Sequence, residues 1–322
     1  MPANALRNLP APAKLNLFLH VVGRRSDGYH LLESVFQLID RGDRLDLRLR
    51  NDGKIRLLNS IAGVADEQNL CVRAARLLAK FSNCPLGVDI NLSKYLPIGG
   101  GLGGGSSDAA TTLLGLNRLW QLNKSRSQLA RIGLTLGADV PFFLFGQTAL
   151  ASGIGEQLRA VALPARYYVV VEPGIAVPTA VVFASTELTR NTKRLKIEGF
   201  SGVGSMPLDA CESALAKALK RAANDLQAVV LAQFPAVADA LDLLRQAATS
   251  AGVDAGRARM TGSGSSLFLP LIDSAQAVRV ADEVRKGFIG SRLLGKAWVA
   301  HSLSRHPLAM LAPKQQRVNR AG

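Results

Sequence analysis

The chain has 322 residues, of which 48% are hydrophobic and 20% charged, a globular composition with ample material for a core. Thirty-nine lysines and arginines against 24 acidic residues give a net charge of +15, which favours acidic partners such as phosphorylated metabolites, nucleic acid or anionic membranes, or serves solubility alone. Only 5% of the residues are aromatic and none cluster among the basic ones, which disfavours nucleic-acid binding by base stacking.

The cysteines and the start of the chain bear on its compartment. Cys71, Cys84 and Cys211 are odd in number, widely spaced and without a CxxC pair, which disfavours a disulfide framework or a zinc site. The first residues lack the apolar stretch of a signal peptide, and no apolar run approaches the roughly 20 residues of a membrane span. We therefore predict a cytoplasmic protein that binds no membrane, with Cys71 as a buried small hydrophobe.

The first predicted element is a strand over residues 13–22. Its leucines and valine recur at every second position, so they fall on one face of the strand. Lys14 and Asn16 fall together on the other face, one pleat apart. An Asp-Gly pair over 27–28 then indicates a turn, and residues 43–50 alternate again, which predicts a second strand.

A glycine-rich run follows a predicted helix and strand. Residues 69–80 have the apolar spacing of a helix, and residues 86–93 predict a strand that leads to the run. The run over 96–108 reads Leu-Pro-Ile-Gly-Gly-Gly-Leu-Gly-Gly-Gly-Ser-Ser-Asp and passes directly into an apolar helical pattern, which Ser106 or Ser107 is predicted to cap. Bare backbone N–H groups at a helix N-terminus bind anions, so the run predicts a phosphate site.

Three familiar phosphate loops do not fit this run. Its formal GxGxxG match lacks the acidic residue about 20 positions later that the dinucleotide-binding fold requires. A Walker A loop needs Gly-Lys-Ser/Thr, and here Ser106-Ser107 follows the glycines without a lysine. The His-Arg-Asp and Asp-Phe-Gly tripeptides of protein kinases do not occur. A flexible linker is also disfavoured, because Leu102 is embedded among the glycines and an apolar helix follows.

The rest of the chain predicts helices and short strands without a strict βαβ repeat. Predicted helices cover 127–136, 209–222 and 235–251, the first stopped by a left-handed Gly137 and the last by Gly252. Predicted strands cover 166–172, 257–260 and 267–271, and the last two flank a second glycine–serine loop over 260–266. Residues from Ser302 onward are predicted to fray. The pattern is typical of an α+β protein of two domains, with a boundary near residue 165.

Asp139 is the best candidate for a general base. It lies between a helix-stopping glycine and Pro141, so its backbone geometry is tightly set. A lysine beside it, such as Lys14, would keep the carboxylate ionised. Each candidate also fits a plainer role: Asp139 could close a turn, Lys14 could be a solvent-facing strand lysine, and His30 could cap a turn. The residues alone leave both interpretations open.

Five motifs occur in a telling order: Pro-Ala-Lys-Leu-Asn-Leu (12–17), Asp-Gly-Tyr-His (27–30), the glycine-rich run through residue 110, Gly-Ala-Asp-Val-Pro-Phe (137–142) and Met-Thr-Gly-Ser-Gly-Ser-Ser (260–266). This order strongly resembles the GHMP kinase superfamily over about residues 10–304. The resemblance implies an α+β fold of two domains. Residues 1–165 would form an ATP-binding domain like the second domain of ribosomal protein S5, and residues 166–322 a ferredoxin-like domain with a short basic tail.

Within the superfamily, the 12–17 strand and the 27–30 turn resemble the branch that phosphorylates the C2 hydroxyl of 4-diphosphocytidyl-2-C-methyl-D-erythritol in the non-mevalonate isoprenoid pathway. The resemblance implies Asp139 as the catalytic base and Lys14 beside it. It implies ATP as cosubstrate, and Mg²⁺ is expected from ATP chemistry, although no metal ligand is assigned from the sequence.

The resemblance also implies the remaining site residues. Asn69 would lie near the adenine, and the ATP phosphates would be wrapped by Pro97, Ile98, Gly99, Gly100, Gly101, Leu102, Gly103, Gly104, Gly105, Ser106 and Ser107. The cytidine-diphosphate substrate would be held by Asn16 and Thr179, with its cytosine at Tyr29, His30 and Phe183. Residues 261–265 would support the site from the second domain.

Two other functions remain open at this stage. The chain could be a GHMP kinase of the homoserine or mevalonate type, which would lack a cytidine site. It could also be an RNA-binding protein, as the charge of +15 and the S5-like domain suggest, but the glycine run, Lys14 and Asp139 would then be unexplained. The expected partner is a small-molecule substrate rather than nucleic acid or membrane, and the expected assembly is a monomer or homodimer.

Overall fold

The computed structural model describes residues 4–195, 219, 223–291 and 293–312. The strands are β1 (Ala5–Arg24), β2 (His30–Arg50), β3 (Ile55–Leu57), β4 (Gly87–Ser93), β5 (Ala149–Ser152), β6 (Gln157–Ala160), β7 (Tyr167–Glu172), β8 (Arg259–Met260), β9 (Leu267–Leu271) and β10 (Lys296–Leu303). The helices in these ranges are α1 (Leu70–Ser82), α2 (Gly104–Leu119), α3 (Arg126–Leu134), α4 (Val140–Phe145), α5 (Thr179–Ala184), α6 (Asp225–Gln233), α7 (Pro235–Ser250) and α8 (Ser274–Ile289).

One sheet connects the two halves of the chain. Its strand order is β3-β4-β2-β10-β7-β9-β8, with β1 and β5 also paired to β2 and with β6 paired to β5. These pairings are antiparallel except β3 with β4. Strand β10, near the C-terminus, pairs with both β2 and β7 and so joins the halves. The boundary near residue 165 stays a prediction.

Three apolar clusters hold the layers together. The first packs α1 to α4 on β2 and β4, and the second packs α6 to α8 on β7 and β9. The third contains residues of β1, β2, β7, β9 and β10, on strand positions that alternate with those of the first two. Cys71 is fully buried in the first cluster, as predicted; Cys84 is half-buried, and Cys211 lies outside the described residues. Burial of this apolar surface is the main force that orders the sheet around the site.

The predicted strands over 13–22 and 43–50 are confirmed, but both are longer than predicted. Strand β2 begins at His30, and residues 33–39 are buried on both faces. A strand covered on both faces has no alternation of apolar and polar residues, so the periodicity could not show this part. From residue 43 the strand alternates between buried and more exposed positions, which is where the sequence signal begins.

Most later elements agree with the sequence. The predictions over 69–80, 86–93, 166–172, 235–251 and 267–271 are confirmed within one or two residues by α1, β4, β7, α7 and β9. The strand predicted over 257–260 is wrong for its first half, because residues 255–257 form a 3₁₀ turn capped by Asp254. The helix predicted over 209–222 lies outside the described residues, apart from position 219.

Two helix ends differ from the prediction. Helix α2 begins at Gly104 with a left-handed Gly103 as its cap, so Ser106 and Ser107 lie inside the first turn and neither caps it. Helix α3 ends at Leu134, and Gly137 is not left-handed. The Thr135 hydroxyl donates to the Ile132 carbonyl at 2.7 Å, a local bond that competes with continuing the helix.

The prediction that the chain frays from Ser302 is wrong for the described residues, which extend to 312. Ser302 pairs with Ile39 inside the sheet, and the Arg126 guanidinium donates to the Ala309 and Ala312 carbonyls. The apolar side chains of this segment pack on the first cluster, which orders it although it carries no acidic residue. Residues 313–322 lie outside the described part.

No single described helix has the length and apolarity to cross a membrane. Helices α6 and α7 meet the criterion only when taken together, and they are bent by 115° at their junction.

Candidate functional site

A cleft of about 560 Å³ gathers residues from both halves of the chain. Most of the predicted site residues line it: Lys14, Asn16, Asn69, every residue from Pro97 to Ser106, Asp139, Thr179 and Phe183. Three do not. Ser107 is buried and its hydroxyl donates to the Pro12 carbonyl at 2.7 Å, while Tyr29 and His30 lie next to the cleft rather than in its wall.

The glycine-rich loop has its shape because side chains would not fit. Gly101 and Gly103 are left-handed, with φ of 75° and 72°. A Cβ atom at Gly101 would lie 2.4 Å from the Thr261 carbonyl oxygen, and one at Gly103 would lie 3.0 Å from Cγ of Lys14. Glycine is the residue that tolerates both the φ and the close approach. The loop is therefore packed directly against the residues that would do chemistry.

Leu102 anchors the loop from below. Its side chain is 1% exposed within the third cluster, and its carbonyl accepts a 3.0 Å hydrogen bond from the Lys14 amide. With the centre of the loop held, the chain turns into α2, whose first N–H groups have no helical partner. The first residues of α2 line the cleft, so the positive end of the α2 dipole faces it, as phosphate binding requires.

The second glycine–serine loop braces the first. The Ser266 amide donates to the Gly100 carbonyl at 3.1 Å, and the Asn16 amide donates to the Thr261 hydroxyl at 2.8 Å. The Asn224 side chain holds the second loop in turn, by donating to the Met260 and Gly262 carbonyls. The predicted supporting role of this loop thus has a physical form: it ties β1, the glycine-rich loop and α6 together.

Lys14 and Asp139 form an ion pair in the wall of the cleft. The Lys14 ammonium lies 3.4 Å from the Asp139 carboxylate, donates to the Asn16 side-chain oxygen, and sits 5.2 Å from the centre of the Phe36 ring. Lys14 is buried, whereas the Asp139 side chain keeps 32% of its surface exposed. Asp139 precedes α4, where Pro141 fixes the chain. A carboxylate open to a ligand and backed by a buried cation suits proton abstraction.

Three charged residues near the glycine-rich loop were missed by sequence reasoning. The Lys94 ammonium lies 2.5 Å from Asp43 and 2.9 Å from Asp108, and Lys94 and Asp108 line the cleft. Asp43 also accepts from the Tyr95 and Leu96 amides, which fixes the entrance to the loop. The three residues are far apart in sequence, and no local pattern signals their pairing.

Burial dominates the electrostatics of this cluster. It raises the pKa of Asp108 to about 7, against the opposing charge of Lys94, and one Asp108 oxygen has no hydrogen-bond partner among the described residues. Burial acts to lower the pKa of Lys94, but the charges of Asp108 and Asp43 outweigh it, so the pKa of Lys94 is raised. Lys94 therefore places a stable positive charge beside the loop.

The far end of the cleft carries the residues predicted to hold the cytosine ring. The His30 ring stacks on Phe183 with centroids 4.9 Å apart, and its Nε2 accepts from Arg190 Nε at 3.1 Å. Thr179 and Ser263 share a hydroxyl–hydroxyl hydrogen bond of 2.7 Å at the rim. Tyr29 is 60% exposed on the turn before β2 and does not line the cleft.

The described residues contain no group of three or more His, Cys, Asp and Glu side chains that could hold a metal ion. Among the described residues that line the cleft, the carboxylates are those of Asp108 and Asp139, and each is paired with a lysine. Such a donor set suits a Mg²⁺ ion that keeps water and phosphate oxygens as most of its ligands, rather than an ion caged by protein.

Two models of known protein families match this chain, one in each half. The family model for the N-terminal domain of GHMP kinases matches residues 69–147, and the model for the C-terminal domain of GHMP kinases matches residues 208–290. The first contains the glycine-rich loop and Asp139, and the second contains the supporting loop.

Curated relatives match along nearly the whole chain. A protein of Herminiimonas arsenicoxydans named 4-diphosphocytidyl-2-C-methyl-D-erythritol kinase is 51% identical over 310 residues, which cover 95% of this chain and 98% of the relative. A protein of the same name from Azoarcus sp. (strain BH72) is 47% identical over 95% of this chain and 97% of its own length.

Solved structures separate fold from family. A crystal structure of 4-(cytidine 5'-diphospho)-2C-methyl-D-erythritol kinase matches with a TM-score of 0.68 and 34% identity over 91% of this chain and 98% of its own. A homoserine kinase from Cytophaga hutchinsonii reaches the same TM-score at 18% identity, over 95% of this chain and 96% of its own. The second match shows the fold alone. The α+β GHMP kinase fold of two domains is confirmed, and the backbone shape does not distinguish acceptors.

Proposed function

Because this chain belongs to the 4-diphosphocytidyl-2-C-methyl-D-erythritol kinases within the GHMP kinases, we propose that it transfers the γ-phosphoryl group of ATP to the C2 hydroxyl of that cytidine-diphosphate sugar alcohol. The products are the 2-phosphate and ADP, in the non-mevalonate route to isoprenoid precursors. The observation that carries the phosphoryl-transfer chemistry is the Lys14–Asp139 pair, which opens onto the same cleft as the glycine-rich loop.

Asp139 acts as the base in this proposal. Its carboxylate accepts the proton of the C2 hydroxyl as the hydroxyl oxygen forms a bond to the γ-phosphorus and the bond to ADP breaks. Lys14 lies beside that carboxylate and orients the hydroxyl, and Asn16 holds Lys14 through its side-chain oxygen. The Asn16 side-chain nitrogen Nδ2 donates to the Ser34 hydroxyl at 2.8 Å, so the Asn16 side chain is fixed for this role.

The nucleotide lies along the loop. The N–H groups of the loop over 97–105 and the first turn of α2, including Ser106, surround the phosphates, and the α2 dipole favours their negative charge. Lys94 adds a cation beside them. Asn69, which caps α1 by accepting from the Cys71 amide at 2.9 Å, borders the adenine end of the cleft. Mg²⁺ enters with ATP, bound mainly by phosphate oxygens and water.

The acceptor lies at the other end. Thr179 and Phe183 line its pocket, and His30 and Tyr29 close around the cytosine from the turn before β2. Tyr29 must swing inward to stack on the base, and its exposed position on a glycine-containing turn leaves it free to do so. The protein is proposed to act in the cytoplasm as a monomer or homodimer, with its two domains meeting near residue 165.

A product assay tests the function. Purified protein is incubated with Mg²⁺-ATP and the cytidine-diphosphate substrate, and phosphorus NMR follows ADP and the 2-phosphate. Absence of both products refutes the proposal. Competition by CMP distinguishes the candidate acceptors. CMP should inhibit a kinase with a cytidine site and should not inhibit a kinase of the homoserine or mevalonate type. Turnover of either of those acceptors without CMP inhibition would favour the alternative.

A further inference from the structure

One guanidinium holds both members of the stacked pair at the acceptor end. Arg190 donates from Nε to His30 Nε2 at 3.1 Å and from Nη2 to the Phe183 carbonyl at 3.0 Å. Its remaining bonds go to the Ser185 carbonyl at 2.7 Å and the Leu188 carbonyl at 3.0 Å. The planar donor fork of arginine suits such a clamp, because its geometry is rigid and it has no acceptor.

The segment that carries Arg190 is itself anchored on both sides. Leu188 is 4% exposed in the second apolar cluster. The Thr192 amide donates to the Val21 carbonyl of β1 at 3.1 Å, and the Leu195 amide donates to the Glu33 carboxylate of β2 at 2.7 Å. Arg190 therefore reaches His30 from a fixed backbone.

This contact decides which ring nitrogen of His30 carries hydrogen. An imidazole nitrogen accepts a hydrogen bond only when it is not protonated, and arginine offers donors alone. Nε2 must therefore be bare and the hydrogen must sit on Nδ1. Burial, followed by the charges of Arg190 and Arg24, lowers the pKa of His30, so the ring stays neutral near neutral pH.

We propose that Arg190 is a specificity-positioning residue that fixes His30 as an Nδ1–H donor and thereby selects cytosine over uracil. The inference rests on the proposed function of this site. Ring nitrogen N3 of cytosine is an acceptor and pairs with an Nδ1–H donor, whereas N3 of uracil carries its own hydrogen and opposes it. A donor facing a donor leaves two polar groups unpaired, which is costly once the bound ligand excludes water from the contact.

The tautomer is tested without substrate. Long-range ¹H–¹⁵N NMR reports the protonation of each imidazole nitrogen, and a His30→Asn variant assigns the His30 signal among the four histidines of the chain. The wild-type protein is expected to show the Nδ1–H form with a pKa below 6.5, and Arg190→Met is expected to shift the ring toward Nε2–H and raise that pKa. An Nε2–H form in the wild type, or a spectrum unchanged by Arg190→Met, overturns the proposal.

Specificity is tested with two acceptors, the cytidine-diphosphate sugar alcohol and its uridine analogue. Arg190→Met is expected to lower the ratio of their kcat/KM values at least about tenfold through KM, with kcat and the KM of ATP little changed. Arg190→Lys keeps one donor and the charge and should recover part of the ratio. Arg245→Met, on the exposed face of α7, is the control and should leave the ratio unchanged.

The outcomes separate a positioning role from a structural one. An equal loss for both acceptors, or an unchanged ratio, overturns the proposal. If Arg190→Met does not fold, the proposal is judged on the acceptor ratio of Arg190→Lys and on the His30 tautomer of the wild-type protein. If the wild-type protein phosphorylates neither acceptor, the proposed function fails, and the substrate-free spectrum still reports whether Arg190 sets the tautomer.

Discussion

The two ends of the cleft are built in different ways. At the nucleotide end, backbone packs on backbone: the glycine-rich loop lies against the second loop so closely that a Cβ atom at Gly101 would meet the Thr261 oxygen at 2.4 Å. At the acceptor end, side chains hold side chains through the His30–Phe183 stack and Arg190, and Tyr29 lies 60% exposed. The end proposed for the nucleotide is therefore held by backbone packing, whereas the end proposed for the acceptor leaves Tyr29 exposed.

Asp139 is proposed to act on the reacting hydroxyl, so its loss should slow the chemical step and leave both binding steps nearly unchanged. Asp139→Asn keeps the shape but removes the anion that accepts the proton, and kcat is expected to fall by about 10²–10⁴-fold. The KM values of ATP and acceptor should stay within about threefold, as measured by a coupled assay for ADP. Asp242→Asn, an exposed carboxylate on α7, is the control. Full turnover in Asp139→Asn would remove Asp139 from the role of base.

A pair of glycine variants tests whether the nucleotide end depends on close packing. Gly101 and Gly252 both have positive φ, 75° and 69°, so alanine costs about 1–2 kcal/mol of backbone strain at either position. A Cβ at Gly252 meets no atom within 4 Å, unlike one at Gly101. Gly101→Ala is expected to lower kcat/KM for ATP by about tenfold or more. It is also expected to lower the melting temperature more than Gly252→Ala does. Matching effects in the two variants would show that strain alone matters.

The same contrast explains what the sequence could predict. The glycine-rich loop is marked by a short local pattern, whereas Asp139 and Lys14 were assigned through the order of motifs that resembles the GHMP kinases. The Lys94–Asp43–Asp108 cluster and the Arg190–His30 contact join residues 14 to 160 positions apart, and no periodicity marks such pairings. Strand β2 shows both cases: its alternating end after residue 43 was predicted, and its doubly buried start was not.

His30 tests the acceptor end alone. His30→Ala removes the ring that stacks on Phe183 and the donor proposed for cytosine, so the KM of the acceptor is expected to rise about tenfold. The KM of ATP should not change, because the nucleotide end is packed independently. His301→Ala, which removes a ring that meets Tyr167 of β7 edge to face, is the control and should alter neither KM. A rise in both KM values would show that the two ends are coupled.

The last expected effect, at Asp108, is visible only as a dependence on pH. The pKa of Asp108 is about 7 in the fold against 3.8 in the unfolded chain, so the folded protein holds this proton more tightly. Its contribution to stability is complete below the unfolded value and is lost as the pH rises toward about 7. The free energy of unfolding of Asp108→Asn, measured with urea, should therefore rise relative to that of the wild type by up to about 1.4 kcal/mol per pH unit across that window. Because the pKa of Lys94 is raised, its charge stays constant there and adds no slope. Asp242→Asn should run parallel to the wild type, and a parallel course for Asp108→Asn as well would mean that Asp108 does not titrate in this window.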